Sequence, residues 1–274
     1  MQRVPTVQGV DAELAFEAAQ RVVETHKRLS GFLRAGQTLA EIDRFVAETL
    51  QELRCKSCFL GYRTGGLPPF PSYACLSVND CVVHGTAGYR LEPLGEGDLL
   101  KIDIGVSYKG WIGDAAWTYS IGEPSDEVRR LMACGKRSIE LGVETLRAGA
   151  PLMDWARTVQ RHVEDECGFH LVRGLGGHGY GRSLHAPPFL SNTVPTFPGE
   201  WADAGRRWEA GTLIAVEPMI AVGTGEVRQQ RKQWPIWSAD GSMTVHYEHD
   251  VLVTEEGPRV LTGGLESVED VILR

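Results

Sequence analysis

Asp103 and Asp114 are the first residues whose types and spacing could do chemistry together. Residues 101–106 read as a strand, 107–110 as a turn and 111–119 as the returning strand. Pairing symmetric about the Tyr108–Lys109 junction sets the two aspartates directly opposite on one face, with Cβ atoms roughly 5 Å apart. Bare carboxylates so placed repel. A pair of divalent cations reverses the sign, since two-metal hydrolytic sites hold their ions about 3.5 to 4 Å apart among bridging carboxylates.

Three further residues extend this set. His178 sits in the glycine-rich segment 174–185 (Gly-Leu-Gly-Gly-His-Gly-Tyr-Gly-Arg-Ser-Leu-His), where glycines on both sides let the backbone come close to an ion and adopt unusual φ. The same segment fits a G-x-G-x-x-G pattern at 174, 176 and 179, but it runs into Pro187 and Pro188 instead of opening a helix, so a dinucleotide loop is disfavoured. Glu217 and Glu248 interrupt the apolar stretches Leu-Ile-Ala-Val-Glu-Pro-Met and Val-His-Tyr-Glu-His-Asp-Val-Leu-Val. Either glutamate alone reads as a strand-edge acid or an ion-pair partner. With Asp103, Asp114 and His178 they make four carboxylates and one imidazole, an oxygen-rich set suited to two divalent ions and not to a thiolate-rich zinc site. His84 and His185 are left over. Each is either a hydrogen-bonded structural ring or a group that handles the leaving amine and the developing oxyanion of amide hydrolysis.

The elements that carry these residues show a repeat. Leu33-Arg34-Ala35-Gly36 recurs as Leu146-Arg147-Ala148-Gly149, and at the same offset of 113 residues Leu39, Ile42, Val46 and Leu50 map onto Leu152, Trp155, Val159 and Val163. Each stripe predicts an amphipathic helix with one buried face. Thr38 and Glu41 predict a capping box for the first, and Pro151 a first-turn proline for the second. Helical stretches near 11–31 and 125–146 precede them, so the order helix, helix, strands occurs twice, with a site expected between the halves.

Composition is ordinary for a soluble globular protein. At 42% apolar and 23% charged residues the chain can bury a core, and it has neither a long apolar run nor a basic and apolar leader pattern at its start, so a cytoplasmic location without membrane contact is expected. A net charge of −8 argues against nucleic acid, and the one basic cluster, Arg228, Arg231 and Lys232, reads as a solvated loop. The six cysteines are scattered, so reduced thiols are expected; Cys55 and Cys58 form a C-x-x-C with no second half, read as packing.

Taken in order, Asp-x-Gly at 103–105, Gly-Asp at 113–114, Gly-His-Gly-x-Gly-Arg-x-x-His at 177–185, Glu-Pro-Met at 217–219 and Tyr-Glu-His at 247–249 resemble the type I methionine aminopeptidases of the M24 metallopeptidase family. The resemblance spans about 11–262, leaving 1–10 as an N-terminal extension and 263–274 as a C-terminal tail, with halves near 11–123 and 124–262. It implies the α+β pita-bread fold, two pseudo-symmetric halves of antiparallel sheet covered by helices. It implies that Asp103, Asp114, His178, Glu217 and Glu248 bind two divalent ions (Co, Mn, Fe or Zn), with Asp114 and Glu248 bridging. The implied reaction releases an N-terminal methionine from peptides or nascent chains when the next residue is small. In it Glu217 shuttles a proton, His185 stabilises the oxyanion and His84 orients the scissile amide nitrogen. A monomer is the expected state, and ribosome association is left open.

Tyr62, Cys75 and Trp234 fit the substrate pocket of that family, but other positions depart from it. Phe59 stands for a usual Cys, Arg63 for a His, Leu184 for a Phe, Gly105 for a Thr and His246 for a Gln, and residues 64–71 enlarge the loop beside the pocket. Two alternatives follow. A pita-bread peptidase of Xaa-Pro type usually carries an added N-terminal domain, and a non-catalytic binding protein would not need all five ligands and both histidines. The interval from His178 to Glu217 has no room for the insertion of type II methionine enzymes.

Overall fold

Two helix pairs, each followed by strands, make up the computed structural model, which describes residues 4–274; residues 1–3 of the expected N-terminal extension lie outside the described residues. The first pair is α1 (Val10–Phe32) and α2 (Leu39–Glu52), the second α3 (Asp126–Val143) and α4 (Met153–Gln160). The repeated stripes are the buried faces: Leu39, Ile42, Val46 and Leu50 in one pair, Leu152, Trp155, Val159 and Val163 in the other, none more than 2% exposed. Each such side chain contributes on the order of 1.5–3 kcal/mol by leaving water. The tetrapeptides before them end on glycines in matching left-handed conformation, φ 83° at Gly36 and 81° at Gly149, a geometry in which a Cβ is strained.

The helix starts differ. Thr38 and Glu41 form the full capping box, each side chain closing on the other's backbone N–H. Pro151 is not the first residue of α4. It stands before the N-cap Leu152 and pairs with Arg207 in an isolated bridge, so the chain is still extended there. The far end of α4 also differs, winding into a π-helical turn over Arg161–Glu166.

Strands Leu99–Tyr108 and Trp111–Ile121 form the long hairpin of the first five-stranded sheet, with Lys56–Ser57, Cys75–Val78 and the parallel edge strand Val271–Ile272. α1 packs across this hairpin. The second five-stranded sheet runs Pro258–Val260, His249–Val253, Leu213–Val216, Gly176–Gly179, Ala186–Ser191, all antiparallel. α3 covers the smaller strands Met219–Ala221 and Thr244–His246 beside it. The architecture is α+β, with mostly antiparallel sheets and helices over them. Among the described residues no helix is long and apolar enough to cross a membrane.

The hairpin register corrects the expected one. Tyr108 pairs with Trp111, leaving only Lys109 and Gly110 in the turn, at φ 50° and 80°. Positive φ at both central residues marks the tight turn whose twist matches that of the flanking strands. Asp103 therefore faces Ala116, and Asp114 faces Gly105. The slip is two residues, an even number, so both aspartates stay on the same face as diagonal neighbours.

Candidate active site

One pocket of about 360 Å³ is lined by the expected ligands and substrate-contacting residues: Asp103, Asp114, His178, Glu217 and Glu248, with His84, His185, Tyr62, Cys75 and Trp234. The hairpin of the first half supplies the aspartates. The glycine strand and two strand ends of the second half supply His178, Glu217 and Glu248.

The glycines around His178 serve the sheet and not φ. A Cβ at Gly177 would lie 2.3 Å from the Ala215 carbonyl oxygen, and one at Gly179 2.2 Å from that of Pro187. Neither residue has positive φ; only the more distant Gly174 does. Close approach of the two neighbouring strands seats His178, and a bulge between His178 and Gly179 re-aims it. Its Nδ1 lies 3.2 Å from the Gly179 carbonyl oxygen, which calls for a proton on Nδ1 and leaves Nε2 as the lone-pair nitrogen. Nε2 faces Glu217 Oε1 at 3.6 Å and Asp114 Oδ2 at 3.9 Å. Burial and the neighbouring His185 push the ring down to about 3, so at neutral pH it is uncharged and free to ligate.

The carboxylates are shifted the other way. Burial pushes Asp103 up to about 7, and burial with the charges of Asp103, Asp250 and Glu217 raises Asp114 well above the carboxylate range. Glu217 and Glu248 are also raised, first by burial. Among the described residues, Asp103 Oδ1 and Asp114 Oδ1 are buried without a hydrogen-bond partner, and no lysine or arginine lines the pocket. A buried, unpaired carboxylate is costly. Divalent cations would remove that cost, and the donor set fits them. Ligating atoms of Asp114, His178 and Glu248 lie within 4.8 Å of one another, as do those of Glu217, His246 and Glu248. The two groups share Glu248, whereas Asp103 borders them without belonging to either.

His246 and Asp250 are the neighbours that sequence reading undervalued. His246, noted only as a departure, places Nε2 3.1 Å from Glu217 Oε2 and 4.0 Å from Glu248 Oε2, with its ring pushed down to about 4 by burial. Asp250 accepts a 2.8 Å hydrogen bond from the Asp114 backbone N–H and is fully buried. Its signal was present: it follows Glu248 by two residues within an apolar strand, the period of one strand face.

The rest of the pocket is an aromatic wall. Phe70 meets Phe59 and Trp234 edge to face, at 6.2 and 5.1 Å between ring centroids. Leu184 completes this wall, and Thr64 lines the pocket from the 64–71 loop. Trp234 Nε1 donates to the Pro68 carbonyl (2.9 Å), pinning that loop. Arg63 is exposed and does not line the pocket, which corrects its expected place there. Two departures prove to be one. A Cβ on Gly105 would lie 2.6 Å from Phe59 Cε1, so the larger ring occupies the space that a side chain at 105 would fill. At the mouth, Tyr62 Oη sits 2.8 Å from His185 Nδ1 and orients the imidazole. His84 adopts φ 59°, uncommon for a non-glycine residue, with its ring held edge-on to Trp234 at 6.0 Å.

Comparison with known proteins places this geometry in context. Residues 13–255 match the model of metallopeptidase family M24. A methionine aminopeptidase of Clostridium acetobutylicum is 35% identical over 92% of this chain and 96% of its own length. Methionine aminopeptidase 1 of Mycobacterium tuberculosis is 37% identical over 84% of each. The crystal structure of a methionine aminopeptidase from Thermotoga maritima superposes with a TM-score of 0.85 at 31% identity, over 95% of this chain and 99% of that one.

Proposed function

Because the chain belongs to metallopeptidase family M24, we propose that it is a metal-dependent methionine aminopeptidase, acting on peptide or nascent-chain N-termini whose second residue is small. The observation that carries this reading is the convergence of four carboxylates, one neutral imidazole, two further histidines and an apolar wall on one pocket. Residues 11–262 form the catalytic unit in this reading, with halves 11–123 and 124–262 and the site between them. A cytoplasmic setting is part of this reading.

Asp103, Asp114, His178, Glu217 and Glu248 would hold two divalent cations. When bound, such ions neutralise the carboxylates, polarise the scissile carbonyl and acidify solvent. Glu217 takes and returns the proton, its Oε2 kept in place by His246 Nε2. His185, steadied by the Tyr62 hydroxyl, donates to the developing oxyanion. His84 faces the scissile amide nitrogen; burial holds its ring near 4, so it works as a neutral hydrogen-bonding group. Phe59, Phe70, Cys75, Leu184 and Trp234 take up the methionine side chain. The substrate's free α-amino group would be held near the metals, which favours chain ends over internal bonds.

Purified protein assayed on Met-Ala-Ser and on Xaa-Pro peptides, with and without chelator, tests the reading. Methionine is expected from the first substrate alone, lost on chelation and restored by one of Co, Mn, Fe or Zn. Cleavage confined to Xaa-Pro peptides, or no release with any of these ions, would overturn it.

A further inference from the structure

A second cluster of ligating side chains lies outside the cleft, where α3 meets the end of α4. Cys134 is buried on α3, while His162 and Cys167 belong to the π-helical turn and its cap. Their ligating atoms all fall within 4.8 Å of one another, and none of the three residues lines the catalytic pocket.

The winding of the chain makes the cluster. In an α-helix, residues five apart point about 140° away from each other at 3.6 residues per turn. A π turn instead bonds each residue to the fifth one on, and here the Cys167 N–H bonds to the His162 carbonyl at 3.0 Å. Cys167 is thereby brought over His162, with Sγ 3.5 Å from Nε2. With zinc–sulfur and zinc–nitrogen bonds of about 2.3 and 2.0 Å, a tetrahedral ion sets its sulfur and nitrogen ligands about 3.5 Å apart. The imidazole is also oriented for ligation. Its Nδ1 lies 2.8 Å from Glu166 Oε2, so a proton on Nδ1 goes to that carboxylate and the Nε2 lone pair is left for the thiol side. A carboxylate behind a histidine is the usual outer support of a metal-bound imidazole.

We propose that Cys134, His162 and Cys167 form a second metal site, selective for a thiophilic ion of the Zn²⁺ class and distinct from the oxygen-rich cleft. Two thiolates and one imidazole suit Zn²⁺ and disfavour hard ions such as Mg²⁺ or Ca²⁺. Binding exchanges two thiol protons for one dication, so the site stays neutral. Arg130 and Arg137 line its rim, and Glu166 holds the ring. The fourth position opens onto a surface pocket of about 390 Å³, where solvent completes the tetrahedron. The ion ties α3 to the π turn, a staple within the second half.

The test uses the full-length chain, reduced and stripped of metal, titrated with Co²⁺ and then with Zn²⁺ in competition. Sulfur-to-cobalt charge-transfer absorption, displaced by Zn²⁺, is expected. It should vanish in Cys134→Ser and Cys167→Ser. His162→Gln should bind at least about tenfold more weakly, and Glu166→Gln about 10- to 100-fold more weakly. Asp114→Asn and Cys75→Ala, which alter the cleft, should keep the band. Zn²⁺ should also protect two thiols from alkylation, read by mass spectrometry. Should Cys134→Ser not fold, Cys167→Ser and His162→Gln, at less buried positions, still decide. The proposal is overturned if no band forms, if the band survives Cys167→Ser, or if it disappears with Cys75→Ala. It is equally overturned if Cys134 and Cys167 form a disulfide at a rate that Zn²⁺ does not slow, since the pair would then be a redox couple.

Discussion

The catalytic cleft and the α3–α4 corner both gather metal-ligating side chains, by opposite means. In the cleft, residues from strands and strand ends up to 145 positions apart in the chain, Asp103 to Glu248, converge from both halves of the molecule. At the corner, one π turn supplies two ligands and a single neighbouring helix the third. The cleft is oxygen-rich, with pKa values raised by burial and mutual repulsion. The corner is sulfur-rich. Its imidazole is set by a carboxylate four residues away. A site for chemistry needs groups approached from several directions, which only a convergence of distant strands provides; a staple needs just two elements held together.

The sharpest way to break the comparison is Asp114→Asn. Metal occupancy of the cleft should fall and turnover should drop by roughly 10³-fold or more, the rate equivalent of the several kcal/mol that a Lewis-acidic ion supplies. Elemental analysis and peptide kinetics check this, and unchanged turnover in metal-depleted buffer would count against the ligand role. Zn²⁺ uptake at the corner should be untouched.

His185→Ala separates binding from catalysis within the cleft. The metals should stay while kcat falls by about 10²- to 10³-fold, as for loss of an oxyanion donor. Loss of metal from this variant would mean that the ring ligates.

A third experiment asks whether the cleft wall is a coupled unit. Gly105→Thr should destabilise by about 1–3 kcal/mol, because the new side chain meets the Phe59 ring. Adding Phe59→Cys should recover most of that loss in urea unfolding. Simple additivity of the two changes would refute the coupling.

The smallest effect concerns a histidine of the scaffold, outside both regions. His26 lies fully buried between the Tyr119 hydroxyl (2.8 Å) and the Ala115 carbonyl (3.3 Å), its ring pushed down to about 4 by burial. A depressed histidine favours the neutral folded form. Its contribution is therefore complete above the unfolded value near 6.5 and is lost as pH falls from there toward 4. By pH 5.5 the loss is about 1 kcal/mol. Denaturation midpoints of wild type and His26→Gln at pH 7.5 and 5.5 should show a shallower pH slope in the variant; equal slopes would assign the acid sensitivity to other groups.

Much of this was written into local patterns. The stripes at 39–50 and 152–163 have helical period, so their buried faces were legible, as was the Thr38–Glu41 box, which needs only four residues. The residue types of the cleft were also legible, because an acid inside an apolar strand requires a reason. Composition and order thus determined the α+β class and the family, and nominated the candidate ligands that line one pocket.

The tertiary structure decided what depends on contact between distant parts. It set the hairpin register, since a lysine in left-handed conformation is no strong turn signal, and the even slip spared the site. It set Phe59, just past a short strand, against Gly105, put Asp250 behind Asp114, and turned Arg63 out to solvent. It also wound Arg161–Glu166 as a π turn, so cysteines that look scattered along the chain meet around one histidine. Periodicity reports which face of an element is buried, but the partner across that face is chosen by packing of the whole chain, and no local spacing encodes it.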